Sequence, residues 1–129
     1  MNIIFSTRNP SKVDQVKAMF SNQNITIQAL SELDIEGEAI EDGITLEENA
    51  LKKVIFIRDR IKNPSWVIAD DTGLFITALN GAPGIHAARW AGDVSTEEIT
   101  QYTLRQLEGK TDRSATFETV VVLISPENE

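Results

Sequence analysis

Short apolar runs alternate with helical stripes along this chain. Asn2–Ser6 (NIIFS) carries Ile3, Ile4 and Phe5 in succession and reads as a short buried strand. Asn9 then stands where a helix N-cap belongs, Pro10 suits the first helical position, and Val13, Val16 and Phe20 recur at helical spacing. Ile25, Ile27 and Ala29 alternate within Asn24–Leu30, which predicts a second strand ahead of an acidic loop running through Asp42. Thr45–Glu48 (TLEE) is a capping box that opens a second helix. Leu46, Ala50, Val54, Ile57 and Ile61 form its inward stripe, and Asn63-Pro64 ends it. Ser65–Ala69 and Leu74–Leu79 predict strands on either side of Asp70-Asp71, and Asn80–Gly84 (NGAPG) is a loop. Ser95–Glu98 (STEE) starts a third helix that Gly109 terminates. Ala115–Ser125 is apolar at nearly every position of its second half, which predicts a strand covered on both faces. Interleaved strands and helices predict an α/β fold, a mixed twisted sheet flanked by helices, in a single domain over residues 1–129.

Composition narrows the function classes. The 129 residues suffice for a real core, and no apolar run is long enough to span a membrane. The absence of cysteine excludes disulfides, thiolate metal sites and cysteine nucleophiles, and is compatible with the cytoplasm. A formal charge of −8 with no Lys/Arg cluster argues against a nucleic-acid polymer as partner. It leaves room for a small phosphorylated substrate, because a few local cations or a metal overcome the global field.

Three segments carry candidate chemistry. Ser6–Lys12 (STRNPSK) runs from a strand through a turn into a helix, with Thr7 and Asn9 as neutral hydrogen-bonding groups and Arg8 and Lys12 as cations. It reads either as a capped helix with a solvated lysine or as a polyphosphate cradle using free backbone N–H groups. Glu38–Gly43 (EAIEDG) is an ordinary acidic loop unless the fold carries Glu41 to Asp71, where two carboxylates would suit a hard cation such as Mg²⁺. Asp70 and Asp71 end an apolar strand, either as turn caps or as groups that ligate a metal and accept a proton from water. Asp71-Thr72-Gly73 also spells the aspartic-protease triplet, but those proteins are almost wholly β and this chain has three capped helices. His86 is the only histidine, so no multi-histidine metal site exists. Arg89 either reaches a phosphate or pairs with the acidic surplus, and His86 and Trp90 offer stacking faces.

Four segments in order resemble the inosine triphosphate pyrophosphatase family, also called non-canonical purine NTP or dITP/XTP pyrophosphatases. They are Ser6–Lys12, Glu41–Lys53 (EDGITLEENALKK), Ala69–Gly92 (ADDTGLFITALNGAPGIHAARWAG) and Arg113–Pro126 (RSATFETVVVLISP). The third is long, ungapped and rich in loop residues. The resemblance implies a phosphate loop over Thr7, Arg8, Asn9 and Lys12, and further substrate contacts from Asn49, Lys53 and Thr72. Thr72 departs from the serine of most relatives. The resemblance also implies Mg²⁺ on Glu41 and Asp71, with Asp71 as proton acceptor for the attacking water. The reaction implied is hydrolysis of ITP, dITP or XTP to monophosphate and pyrophosphate, a house-cleaning of the nucleotide pool by a cytoplasmic homodimer. The C-terminal third of the family pattern, with its base-contacting Gly-Tyr-Asp-Pro and Ser-His-Arg motifs, is not in this sequence. The second lobe is therefore expected to be incomplete. An impaired member that only binds nucleotide or a partner chain is the alternative expectation.

Overall fold

Period-2 alternation along the strands sorts side chains onto two faces, each with its own helix. The computed structural model describes residues 1–129. Strand β1 (Asn2–Phe5) pairs in parallel with β2 (Thr26–Ala29) on one side and with β3 (Trp66–Ile76) on the other. Helix α1 (Pro10–Met19) connects β1 to β2, and α2 (Leu46–Arg58) precedes β3. Two-residue β4 (Pro83–Gly84) runs antiparallel to β3, α3 spans Thr96–Gln106, and β5 (Ala115–Ile124) also pairs with β3. The outcome is the expected mixed α/β sheet with helices.

The chain divides into two compact units. The first comprises Met1–Asp71 and Val120–Glu129 and contains both core clusters. On one face of its sheet, Ile4, Val67, Ala69 and Ile124 bury against Val54 and Ile57 of α2. On the other, Ile3, Phe5, Ile27 and Ala29 bury with Val13 of α1, and Val16, Phe20, Trp66 and Ile68 pack onto them. Neighbours in the chain therefore take opposite faces, as a pleated strand requires. Val54, Ile57, Val67 and Ala69 have no exposed surface, so the α2 side is the better-packed half of this core.

The second unit, Thr72–Thr119, is built differently. Helix α3 buries none of its residues. It is instead tied locally: Trp90 packs edge-to-face on Tyr102 with ring centroids 5.0 Å apart, and its indole N–H donates to Thr103 Oγ1 at 3.1 Å. Trp90 thus spends its ring edge and its donor within the unit. Ser95 caps α3 through Glu98 N, and Gly109 follows the helix at φ +74°, as its predicted role in helix termination requires.

Several sequence expectations need correction. Asp70 and Asp71 do not sit between two strands: β3 runs unbroken through them to Ile76, and Thr77–Leu79 is a 3-10 turn. Consecutive strand residues point apart, so adjacent carboxylates do not force a break. Helix α2 stops at Arg58, with Asp59 as its C-cap, so Ile61 packs from the following turn. The second strand is limited to Thr26–Ala29, because Leu30 opens a 3-10 turn whose Glu32 carboxylate accepts from Ala29 N. Finally, β5 is not covered on both faces. Val122 and Ile124 pack into the core, whereas alternate residues Val121 and Leu123 are 57% and 46% exposed and Phe117 is 74% exposed.

Candidate active site

The carboxyl ends of β1 and the middle of β3 bring the polar residues of the first unit together. Asp70 continues the β3 series that faces α1, and its Oδ2 lies 2.6 Å from Lys12 Nζ, one turn into that helix. Asp71 continues the series that faces α2, and its Oδ1 lies 3.3 Å from Lys53 Nζ. Each carboxylate is largely buried, with side chains 15% and 13% exposed, and each has its own ammonium. The doublet therefore avoids mutual repulsion by geometry first, where the sequence left turn capping and metal ligation open.

Lys53 is the hub. Its ammonium donates to Glu41 Oε1 at 2.8 Å, to Asp71 Oδ1, and to the Asp70 backbone oxygen at 2.9 Å. Those three acceptors match the three N–H donors of a lysine. Burial works against the charged amine, but the hydrogen bond and charge of Glu41, joined by Asp71, outweigh it and raise the Lys53 pKa. The Ser6 hydroxyl donates to the Lys53 backbone oxygen at 3.2 Å, pinning this turn of α2 against the end of β1. By contrast, Asp71 Oδ2 is buried and has no hydrogen-bond partner. A buried carboxylate oxygen left bare is costly, and such atoms mark sites where something else binds.

The loop that delivers Glu41 is held at several points. Arg8 donates to the backbone oxygens of Ile35 and Gly37 at 3.0 and 2.7 Å and lies 3.8 Å from Glu38 Oε1. Lys52 pairs with Asp42. Asn49, 4% exposed, accepts from Gly43 N at 2.8 Å, and Glu48 accepts from Ile44 N at 2.9 Å. Thr45 completes the cap by accepting from Glu48 N. Gly43 is required by close approach: a Cβ there would come within 2.7 Å of both Asn49 Oδ1 and Glu48 Cβ.

The β1–α1 turn is largely self-satisfied. The amides of Ser6 and Thr7 bond to Ile68 O and Phe5 O, Asn9 N to Thr7 Oγ1, and Ser11 N to the capping Asn9 Oδ1. Its positive charge thus lies in the side chains of Arg8 and Lys12, with few amides left free. A cavity of about 180 Å³ opens beside it, lined by Thr7, Arg8, Glu41, Lys53 and Phe56 among others. That is smaller than the roughly 300–1,000 Å³ of pockets enclosing whole ligands, and suits part of one. The structure thus assembles Glu41, Lys53 and Asp71 directly, sets Lys12 on Asp70, and uses Arg8 and Asn49 to hold the Glu41 loop. Thr72 opens the second unit, where its hydroxyl shares a hydrogen bond of 2.9 Å with Thr119.

Sequence reasoning missed the Lys12–Asp70 pair, the anchoring role of Arg8 and the Ser6 hydroxyl. Alternation along β3 was the signal available for the first; nothing local in the sequence signalled the others.

The family model described as the Ham1 family matches residues 3–129. The chain belongs to the Ham1 family. Relatives named dITP/XTP pyrophosphatase include that of Caldanaerobacter subterraneus subsp. tengcongensis, 41% identical over all of this chain and 66% of the relative. Another, from Lactiplantibacillus plantarum, is 38% identical over 98% of this chain and 63% of the relative. Among solved structures, the Ham1 protein of Staphylococcus aureus superposes with a TM-score of 0.81 at 35% identity, and that of Coxiella burnetii with 0.82 at 31%. Each of those alignments covers at least 99% of this chain and 66% of the solved chain. This Ham1 chain therefore spans just under two thirds of the length of the relatives it matches, and the resemblance found in its motifs is upheld across its full extent.

Proposed function

We propose that this chain hydrolyses non-canonical purine nucleoside triphosphates (ITP, dITP and XTP) to the monophosphate and pyrophosphate, with Mg²⁺ as cofactor. One observation carries the reading: the buried, unpartnered Oδ2 of Asp71, on a carboxylate whose other oxygen shares Lys53 with Glu41. The relatives named dITP/XTP pyrophosphatase support the substrate class.

The donor set fits a hard divalent cation. Glu41 and Asp71 would hold it, and no larger group of His, Asp or Glu side chains converges elsewhere. Two carboxylates completed by water and phosphate oxygens is the usual environment of Mg²⁺. When bound, the cation supplies charge neutralisation for the phosphates and favours the ionised form of water. The remaining chemistry belongs to the chain. Lys12 and Lys53 attract the triphosphate, and the Thr7–Asn9 turn shapes its approach. Asp71 takes the proton of the water that attacks the α-phosphorus, in a site whose burial strengthens each interaction. Asn49 and Arg8 keep Glu41 in place. The proposal extends to a homodimer in the cytoplasm, supported by family resemblance; no helix is long and apolar enough to cross a membrane.

The test is pyrophosphate release from ITP and XTP by the purified chain, with Mg²⁺ and with excess chelator. Mg²⁺-dependent release supports the reading; no release with either substrate at saturating Mg²⁺ contradicts it.

A further inference from the structure

The Lys53 ammonium bridges Glu41 and Asp71. Its Nζ is 2.8 Å from Glu41 Oε1 and 3.3 Å from Asp71 Oδ1. A magnesium ion taken up by the same two carboxylates, with Asp71 Oδ2 as its open ligand, would lie within a few ångströms of that ammonium. Charge sets the two in conflict, since two cations a few ångströms apart repel strongly even under solvent screening. The amine is no casual visitor: all three of its donors are engaged, and its own backbone oxygen is fixed by Ser6. An exit exists, because Lys53 also borders the cavity lined by Thr7 and Arg8.

Resting on the function proposed above, we propose that Lys53 is a resident counter-cation that competes with the divalent cation for Glu41 and Asp71 in the nucleotide-free protein. The divalent cation binds tightly once the ammonium swings from Glu41 and Asp71 onto the anionic oxygens of the incoming phosphate chain. Metal and nucleotide binding are thereby coupled through one side chain. The exchange leaves no group unpaired: the carboxylates trade an ammonium for a divalent cation that cancels their full charge, and the ammonium trades carboxylates for phosphate. The device also offsets half the charge of two partly buried carboxylates in the resting protein, which would otherwise face each other's field without compensation.

The experiment measures Mn²⁺ affinity by electron paramagnetic resonance, using the full chain and three protein forms: wild type, Lys53→Met and Lys53→Gln. Circular dichroism checks that each is folded, and the glutamine variant keeps a hydrogen-bonding head should the methionine variant fail to fold. Without nucleotide, a folded neutral variant is expected to bind Mn²⁺ at least about tenfold tighter than wild type, the effect of removing one nearby unit charge. Wild type is expected to gain at least as much when an ITP analogue with a methylene between the α- and β-phosphorus is added. Neutral variants that bind Mn²⁺ no tighter than wild type would overturn the inference while leaving the metal site standing. Failure of every form to bind Mn²⁺, even with the analogue, would remove both the inference and the metal reading beneath it.

Discussion

Asp70 and Asp71 are consecutive in β3, point to opposite faces, and each meets the lysine of a different helix: Lys12 of α1 at 2.6 Å and Lys53 of α2 at 3.3 Å. One strand thereby collects a cation from either side of the sheet at its polar midpoint. The two carboxylates are also chemically unequal. Asp70 is paired by Lys12, whereas Asp71 retains a buried oxygen with no partner.

That inequality predicts different outcomes for the two amide substitutions. Asp71→Asn keeps shape but loses both basicity and ligand strength, so ITP hydrolysis should fall about 10²-fold or more with an unchanged circular dichroism spectrum. A steady-state rate near wild type would remove Asp71 from the chemistry.

Asp70 should act through Lys12. The pair is neither fully buried nor fully exposed, so its coupling should lie near 1 kcal/mol, between the exposed and buried limits. Urea denaturation of Lys12→Ala, Asp70→Asn and the double variant measures this directly. Strictly additive losses would mean that the 2.6 Å contact contributes nothing to stability.

Gly43→Ala should push the Glu41 loop off α2. Its new methyl would overlap Asn49 Oδ1 and Glu48 Cβ, and relief of that overlap should cost about 1–3 kcal/mol. The expected signature is a lowered melting temperature together with faster hydrogen exchange at the Gly43 and Ile44 amides, which bond Asn49 and Glu48. Unchanged exchange there would show that the loop does not depend on this packing.

Arg8→Ala should release the same loop from its other end. The Arg8 Nη2 donates to the backbone oxygens of Ile35 and Gly37 while Nε lies 3.8 Å from Glu38 Oε1, a planar arrangement over three acceptors that a lysine ammonium, with its single nitrogen, does not reproduce. Susceptibility to limited proteolysis within 33–42 should rise in the alanine variant, with only partial recovery in Arg8→Lys. Equal protection of all three proteins would reduce Arg8 to a surface residue.

Much of this was legible in the sequence because it is local. The capping residues Asn9, Thr45 and Ser95 each accept the amide expected of them, two or three residues on. The helical stripes and the alternation in β1 and β3 located the core. What was not legible is long-range. Local sequence gave no signal that Lys53 would gather Glu41, Asp71 and the Asp70 backbone oxygen, because those acceptors come from separate segments. Nor could the Asp doublet be placed inside a strand, since turn-favouring aspartates imitate a strand end. The exposed face of β5 likewise eluded a reading based on its run of apolar residues, because hydrophobicity records affinity for cover and not whether cover is there.

The proposed function requires this site to direct water onto the α-phosphorus of a nucleoside triphosphate. Hydrolysis of ITP by the chain in ¹⁸O-enriched water, with both products analysed by mass spectrometry, tests it most directly. Attack at the α-phosphorus leaves one ¹⁸O atom in inosine monophosphate and none in pyrophosphate. Label in pyrophosphate, or release of orthophosphate with inosine diphosphate, would contradict it.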